Sequence, residues 1–252
     1  MTNKKEKLTG VLNRFIPKSL HLAKLRFNLR RFKNKSAEEV FSTIYRENIW
    51  GGAKGEYCSG AGTLSENAAK YVEVLVNFIV KNQVKSVLEI GCGDFRIMNH
   101  VLARSQGVEY LGTDVVPDLI QRNQKTFGAP GTKFAALDAI TGTLPQADLI
   151  LIRQVFQHLS NKQIISILNK IPKSCKYALV TEHLYAGKDV VFNLDKEMGP
   201  DIRIYRCSGV FLDKPPFEIP RLETLLEYRE DVMAFHKLTN CVMRTSIIRG
   251  QL

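Results

Sequence analysis

Three acidic residues stand where a carboxylate could take hydrogen bonds from a ligand: Glu89, Asp114 and Asp138. Glu89 opens the run Glu89-Ile90-Gly91-Cys92-Gly93, a short apolar stretch that ends in two glycines one residue apart. Glycines so placed let the backbone turn sharply from a strand into a helix and let a ligand approach the main chain. A dinucleotide fingerprint would need a third glycine at position 96, which is Arg96, and a phosphate-cradling loop would need Lys and Ser or Thr where Asp94-Phe95 stand. Glu89 and Asp94 would also repel a polyphosphate. The turn therefore suits a ligand that is uncharged or positive at this point. Asp114 ends the next run, "YLGTD", where a carboxylate can accept bonds from both hydroxyls of a ribose. Asp138 ends "KFAALD" and is placed to meet an adenine amino group.

A second set of residues could handle a reacting group. His158 follows the apolar run "ADLILIR" and precedes Ser160, and it is the best placed general base if an acceptor must lose a proton. The alternative is that His158 bonds a backbone carbonyl and fixes its loop. His183, after "YALVTE", is the less favoured second base. Arg153 and Gln154 are expected to line the pocket, unless Arg153 pairs with Glu182. Arg203 could hold an anionic group through its planar fork, or stand unpartnered at the surface. Trp50, with Ser59 and Gly60, falls in a segment able to fold over a ligand as a lid; ordinary core packing is the other account of the only tryptophan.

These residues need elements to hold them. "SVLEI" (86–90), "EYLGTD" (109–114), "ADLILIR" (147–153) and "YALVTE" (177–182), with the weaker "KFAALD" (133–138), read as strands buried on both faces. Helical patterns alternate with them at 63–82, 95–105, 117–127 and 161–171. Thr63 with Glu66, and Ser160 with Gln163, have capping-box spacing, and Pro117 suits a first helical turn. The alternation predicts an α/β fold with a doubly wound, mostly parallel seven-stranded sheet, Rossmann-like, and right-handed crossovers. Residues 184–220 read as a substrate-side insertion containing a rigid Pro215-Pro216-Phe217 turn. Beyond it "LETLLEYRE" reads as helical, and "DVMAFHKL" with "NCVMRTSII" as the closing antiparallel pair.

Charge is unevenly placed along the 252 residues. Residues 1–35 hold 11 Lys or Arg and one acid, Glu6, so the net charge of +11 belongs to an N-terminal arm and not to the body at 36–252. Leu22, Leu25, Leu29 and Phe32 recur on one helical face between basic residues, after an earlier stripe at Leu8, Val11, Leu12 and Phe15. Such an arm suits an anionic membrane surface, or docking on the protein's own core. Nucleic acid is disfavoured, because the arm has few aromatics to stack bases. Five cysteines at irregular spacing contain no CxxC pair and cannot all be paired, which points to a reducing compartment, and no metal-ligand pattern is present. No apolar run approaches the ~20 residues that span a bilayer. The expectation is a cytoplasmic protein, with the arm able to bring it to the inner face of a membrane.

Together, the E-x-G-x-G turn, strand-end Asp114 and Asp138-Ala139 resemble the constellation of class I S-adenosylmethionine-dependent methyltransferases. A closer likeness covers most of residues 45–220. It is to a methyltransferase family associated with bacterial glycan and secondary-metabolite gene sets, and it is carried by "ENIWGG", "SGAGT", "LEIGCGDF", "YLGTDVV", "DLILIRQVFQHLS" and "KYALVTEH", followed by Asn193, Gly199, Arg203 and "PPF". The resemblance implies methyl transfer from S-adenosyl-L-methionine. It places Glu89, Gly91, Cys92, Gly93, Asp114 and Val115 against the cofactor, followed by Asp138, Ala139, Arg153 and Gln154. The family's usual pattern has Asp after the Arg of "IRQ"; Gln154 stands there instead and removes a carboxylate base. "PPF" comes about 60 residues too late to be the amine-binding turn of nucleic-acid amino methyltransferases. The implied acceptor is a small molecule or glycan methylated at oxygen. The alternatives are a protein or peptide methyltransferase, and a non-catalytic adaptor of the cofactor fold working through its basic arm.

Overall fold

The computed structural model of the chain describes residues 23, 27–60, 62, 67–234 and 237–252. Seven strands form one sheet. In chain order they are β1 (Ser86–Ile90), β2 (Glu109–Asp114), β3 (Thr132–Ala136), β4 (Ala147–Arg153), β5 (Cys175–Tyr185), β8 (Glu223–Arg229) and β11 (Cys241–Arg249), in spatial order β3-β2-β1-β4-β5-β11-β8. Strands β1 to β5 pair in parallel, and β11 runs antiparallel to both its neighbours, β5 and β8. The order reverses between β1 and β4, which opens the crevice at the carboxyl ends of those two strands. The expected doubly wound α/β architecture is the one observed.

Two-residue periodicity divides the strands between two cores. Val87, Leu149, Leu151, Leu179 and Ile247 face helices α2 (Asn67–Lys81) and α3 (Arg96–Leu102), where Val72, Leu75, Ile79 and Met98 meet them. Leu88, Ile90, Ile150, Ile152, Ala178, Val180 and Ile248 face the opposite side, under Ile164, Ile167 and Leu168 of α5 (Asn161–Leu168). Four consecutive residues of β4, Leu149 to Ile152, are fully buried, which makes it the central strand. Each such side chain contributes roughly 1.5–3 kcal/mol by leaving water. Helix α4 (Pro117–Phe127) begins at Pro117, and α5 begins in the expected capping box of Ser160 and Gln163. The Thr63 and Glu66 box lies outside the described residues.

The C-terminal third departs from the sequence reading. "ETLLEYR" is strand β8, not helix, because pairing along the outer edge of β11 overrides its helical composition. The segments 231–238 and 240–248 do not pair with each other. Val232–Ala234 (β9) folds onto Lys237–Thr239 (β10) in a separate hairpin, and the closing antiparallel pair is β8 with β11. Within the insertion, β6 (Val191–Phe192) pairs with β7 (Ser208–Gly209), and a 3-10 turn spans Arg203–Arg206. Pro215-Pro216 is cis, and Phe217 is buried in the second core.

Ahead of the sheet, α1 (Ala37–Arg46) starts in a further capping box, Ser36 with Glu39. It buries Val40 and Ile44 against Phe32, with Leu29, Trp50 and Met198 packed alongside. Of the basic arm's stripes, Leu8, Val11, Leu12, Phe15, Leu22 and Leu25 lie outside the described residues. Leu29 and Phe32 pack on the body.

Candidate active site

The glycine turn sits at the crevice. Gly91 (φ +72°) and Gly93 (φ +53°) adopt left-handed conformations, and a Cβ at either would collide: with Val155 Cγ2 at 2.5 Å and with Ser59 Oγ at 2.3 Å. Gly91 N and Cys92 N both donate to Thr113 O, at 2.8 and 2.9 Å, so the turn is tied to the end of β2. Asp114, the last residue of β2, accepts from Gly93 N at 3.2 Å and from Val116 N at 3.1 Å. Burial raises its carboxyl to about 6, with those backbone donors opposing. Burial likewise raises Glu89 to about 8, opposed by the hydroxyl that Tyr110 donates to it. Two hard-to-ionise acids at a strand crossover form a site that gains from a cationic ligand.

The segment after α1 closes over this turn. Ser59 N donates to Asp94 Oδ2 at 3.1 Å while Asp94 N donates to Ser59 Oγ at 2.8 Å, and Tyr45 Oη lies 3.1 Å from the same hydroxyl. Trp50 Nε1 donates to Pro200 O at 3.3 Å, and its ring lies 4.8 Å from that of His158 and 6.0 Å from Phe41. Between this strap and the sheet is a cleft lined by Glu89, Gly91, Gly93 and Asp114 together with Trp50, Gln154, Gln157 and His158.

Beyond β4 the chain makes a short turn, Phe156–His158, held from behind by Glu182 of β5. Glu182 accepts from Phe156 N at 2.7 Å and Gln157 N at 3.1 Å, and burial pushes it up to about 8. Gln154 enters this turn at φ +57°, a left-handed conformation held by its N–H bond to Thr181 O at 2.8 Å. Arg153 donates to Gly62 O at 2.8 Å and Gln154 Oε1 at 3.1 Å, and its guanidinium lies 5.3 Å from the Tyr71 ring centroid; the pairing with Glu182 is not made. His158 Nδ1 lies 3.2 Å from Gly199 O, a carbonyl that can only accept, so the ring proton is on Nδ1. Burial, and next the nearby Lys196 charge, push His158 down to about 3, so the ring is neutral at physiological pH. An activity rising through an ordinary histidine titration is therefore not expected.

Most of the sequence-derived residues meet in this cleft: Glu89, Gly91, Cys92, Gly93, Asp114, Val115, Arg153, Gln154, Trp50, Ser59 and His158 all line it. Asp138, Ala139, Gly60, His183 and Arg203 do not. Asp138 lies two residues beyond the end of β3 and accepts from Ile140 N and Thr141 Oγ1, both at 2.8 Å, so it caps its own turn. His183 lies behind Gln154, with Nδ1 at 3.0 Å from the amide nitrogen. Arg203 is neither an anion fork open to the cleft nor a surface residue. Only 2% exposed, it donates to the carbonyls of Phe156, Leu159 and Leu194 and to Asn161 Oδ1, clamping the insertion onto the turn that carries His158. Sequence reading passed over Gln157 and the support from Glu182, because no spacing rule links residue 157 to residue 182.

Among curated proteins, none matches this chain. A family model described as a methyltransferase domain matches residues 88–177, the stretch from β1 into β5. Solved structures share the fold at low identity. The N-terminal domain of EvdMO1 with S-adenosylhomocysteine bound has a TM-score of 0.51 at 15% identity, over 76% of this chain and 85% of that one. The same domain in the presence of S-adenosylhomocysteine and D-fucose has a TM-score of 0.50 at 13% identity, over 74% and 84%. The N-methyltransferase NodS from Bradyrhizobium japonicum, in complex with S-adenosylhomocysteine, gives 0.50 at 16%, over 71% and 85%. The matched stretch runs through the glycine turn, Asp114 and β4, so this part of the chain is similar to a methyltransferase domain, and the fold is shared with structures solved with S-adenosylhomocysteine bound.

Proposed function

We propose that the chain methylates an oxygen atom of a small-molecule or glycan acceptor, with His158 handling the proton. One observation carries the reading: a single cleft is lined both by the glycine turn with Asp114 and by Trp50 and His158. Gly91 and Gly93, left-handed and packed against Val155 and Ser59, hold the tight turn that lines the cleft, and Asp114, at the end of β2, is proposed to meet the two ribose hydroxyls. Glu89 at the same end favours the positive charge of the cofactor's amino acid and sulfonium groups.

S-adenosylmethionine supplies a methyl carbon on a good leaving group, so the protein's work is alignment and the removal of one proton. Alignment can contribute on the order of 7–11 kcal/mol. The lone pair of His158 Nε2 is met by Gln157 Nε2 at 3.4 Å, a long contact that an acceptor hydroxyl can replace. A base this weak suffices, because a hydroxyl oxygen becomes strongly acidic as its new bond to carbon forms. The insertion, clamped by Arg203, backs the turn that carries His158. Residues 1–35, with 11 basic side chains, are proposed to bring the enzyme to an anionic membrane surface.

The test has two stages. S-adenosylhomocysteine should raise the melting temperature, and no shift would leave the non-catalytic adaptor as the reading. Label from methyl-labelled S-adenosylmethionine should then enter the low-mass fraction of a cell extract; label confined to protein would favour the peptide methyltransferase instead.

A further inference from the structure

Two arginines line the cleft, and they differ in what neutralises them. Arg96 is paired with Glu56 and Asp94. Arg153 is half-buried, and its partners are neutral: Nη2 donates to Gly62 O at 2.8 Å and Nη1 to Gln154 Oε1 at 3.1 Å, while Nε is buried with no hydrogen-bond partner. Among the described residues, no carboxylate forms an ion pair with it. A guanidinium partly withdrawn from water gains more from an anion than from carbonyl oxygens, because charge-assisted bonds are about twice as strong.

The surroundings narrow what that anion belongs to. Glu89 pairs with Leu151 across β1 and β4, and Arg153 stands two residues beyond Leu151, so the two side chains leave the same face of the sheet. Tyr71 of α2 lies beside the guanidinium on that face. Burial raises the Glu89 carboxyl, and the Tyr110 hydroxyl and then the Arg153 charge pull it back, so acid and cation sense each other without being spent on each other. An acid and a cation so placed along one cleft complement a zwitterion, with its ammonium near Glu89 and its carboxylate near Arg153. Gln154 adds a donor. With Oε1 turned to Arg153, its amide nitrogen lies 3.0 Å from His183 Nδ1, which uses one of two hydrogens; the other is spent on no described residue.

We infer that Arg153 takes the carboxylate at the amino-acid end of S-adenosylmethionine, with the second amide hydrogen of Gln154 beside it. The carboxylate is the cofactor's only anionic group, so this contact sets the cofactor apart from adenosine compounds that lack it. The inference rests on the methyltransferase reading above and turns the general placement of Arg153 at the cofactor into one chemical contact.

The test titrates full-length protein by calorimetry with S-adenosylhomocysteine and with its decarboxylated counterpart, S-adenosylthiopropylamine. The unaltered protein should bind the amine at least about tenfold more weakly, a gap of about 1.4 kcal/mol. Arg153→Met should weaken S-adenosylhomocysteine by about that factor and the amine by no more than about threefold, so that the gap closes. Arg153→Lys, which keeps the charge and loses the planar fork, should retain part of it. Equal binding of the two ligands by the unaltered protein overturns the inference. So does an unchanged gap in Arg153→Met, which would leave Arg153 to a carboxylate on the acceptor. Equal loss of both ligands in a folded Arg153→Met also overturns it, because Arg153 would then only hold the chain at Gly62. Should Arg153→Met not fold, Arg153→Lys decides: a narrowed gap supports the carboxylate contact and an unchanged one removes it. Failure of the unaltered protein to bind S-adenosylhomocysteine at all would overturn the methyltransferase reading and this inference with it, whereas binding without discrimination overturns the inference alone.

Discussion

Asp114 accepts from Gly93 N of the glycine turn and from Val116 N of its own turn and, in the proposed complex, holds the ribose through two more bonds. Charge-assisted bonds of this kind are worth about 1.5–3 kcal/mol each, so Asp114→Ala should weaken S-adenosylmethionine by at least about tenfold in calorimetry, and unchanged affinity in a folded variant would remove the assignment. The carboxylate must be ionised to accept, and its carboxyl is raised to about 6. Affinity should therefore decline as pH falls through about 6, approaching tenfold per pH unit below it, and Asp114→Asn should lose that dependence. Stability runs the other way. Glu89 and Glu182 are each raised to about 8, so between the ordinary carboxylate range and about pH 8 the folded state holds more protons than the unfolded one. Stability contributed by these groups is complete at low pH and is lost as pH rises, by at most about 1.4 kcal/mol per unit from each. Thermal melts of the ligand-free protein should fall across this window, and Glu182→Gln should flatten the slope; an unchanged slope would show that Glu182 is ionised throughout.

At the scale of elements, the turn after β4 is held by two buried polar side chains from elsewhere in the chain, Glu182 on its N–H groups and Arg203 on its carbonyls. Burial lowers Arg203 only to about 10, so it remains a cation at neutral pH. Arg203→Met would leave the carbonyls of Phe156, Leu159 and Leu194 without their donor, for a loss of roughly 3–5 kcal/mol and a visibly lower melting point. The variant should lose acceptor turnover before it loses S-adenosylhomocysteine affinity, because the glycine turn sits on different strands. A melting point equal to that of the unaltered protein would mean that water replaces the guanidinium.

For the molecule as a whole, the open matter is the cationic arm. Leu29 and Phe32 pack on α1, so a truncation that tests membrane contact must spare them. Deletion of residues 1–22, which removes five of the 11 basic side chains, should weaken co-sedimentation with anionic vesicles at low salt and leave S-adenosylhomocysteine affinity unchanged. Equal vesicle binding by both proteins would end the membrane proposal. Among the described residues no helix is long and apolar enough to cross a membrane.

The strands around the crevice, the capped start of α5 and the glycine turn were legible from sequence because they depend on neighbours close in the chain. A run such as Leu149–Ile152 buries wherever it lies, Ser160 finds Gln163 three residues on, and Gly91 and Gly93 mark their own turn. Tertiary structure decided what depends on partners far away. "LETLLEYR" has the composition of a helix, and only the free edge of β11 makes it a strand. Asp138 and Arg203 carry the chemistry of ligand-binding residues, yet one caps its own turn and the other meets carbonyls 44 and 47 residues back along the chain. His158 could be placed at the site from sequence, but its proton position and weak basicity come from Gly199 O, Lys196 and burial. Local patterns encode local hydrogen bonds, whereas the charge state and orientation of a buried polar group follow from whatever the fold packs around it.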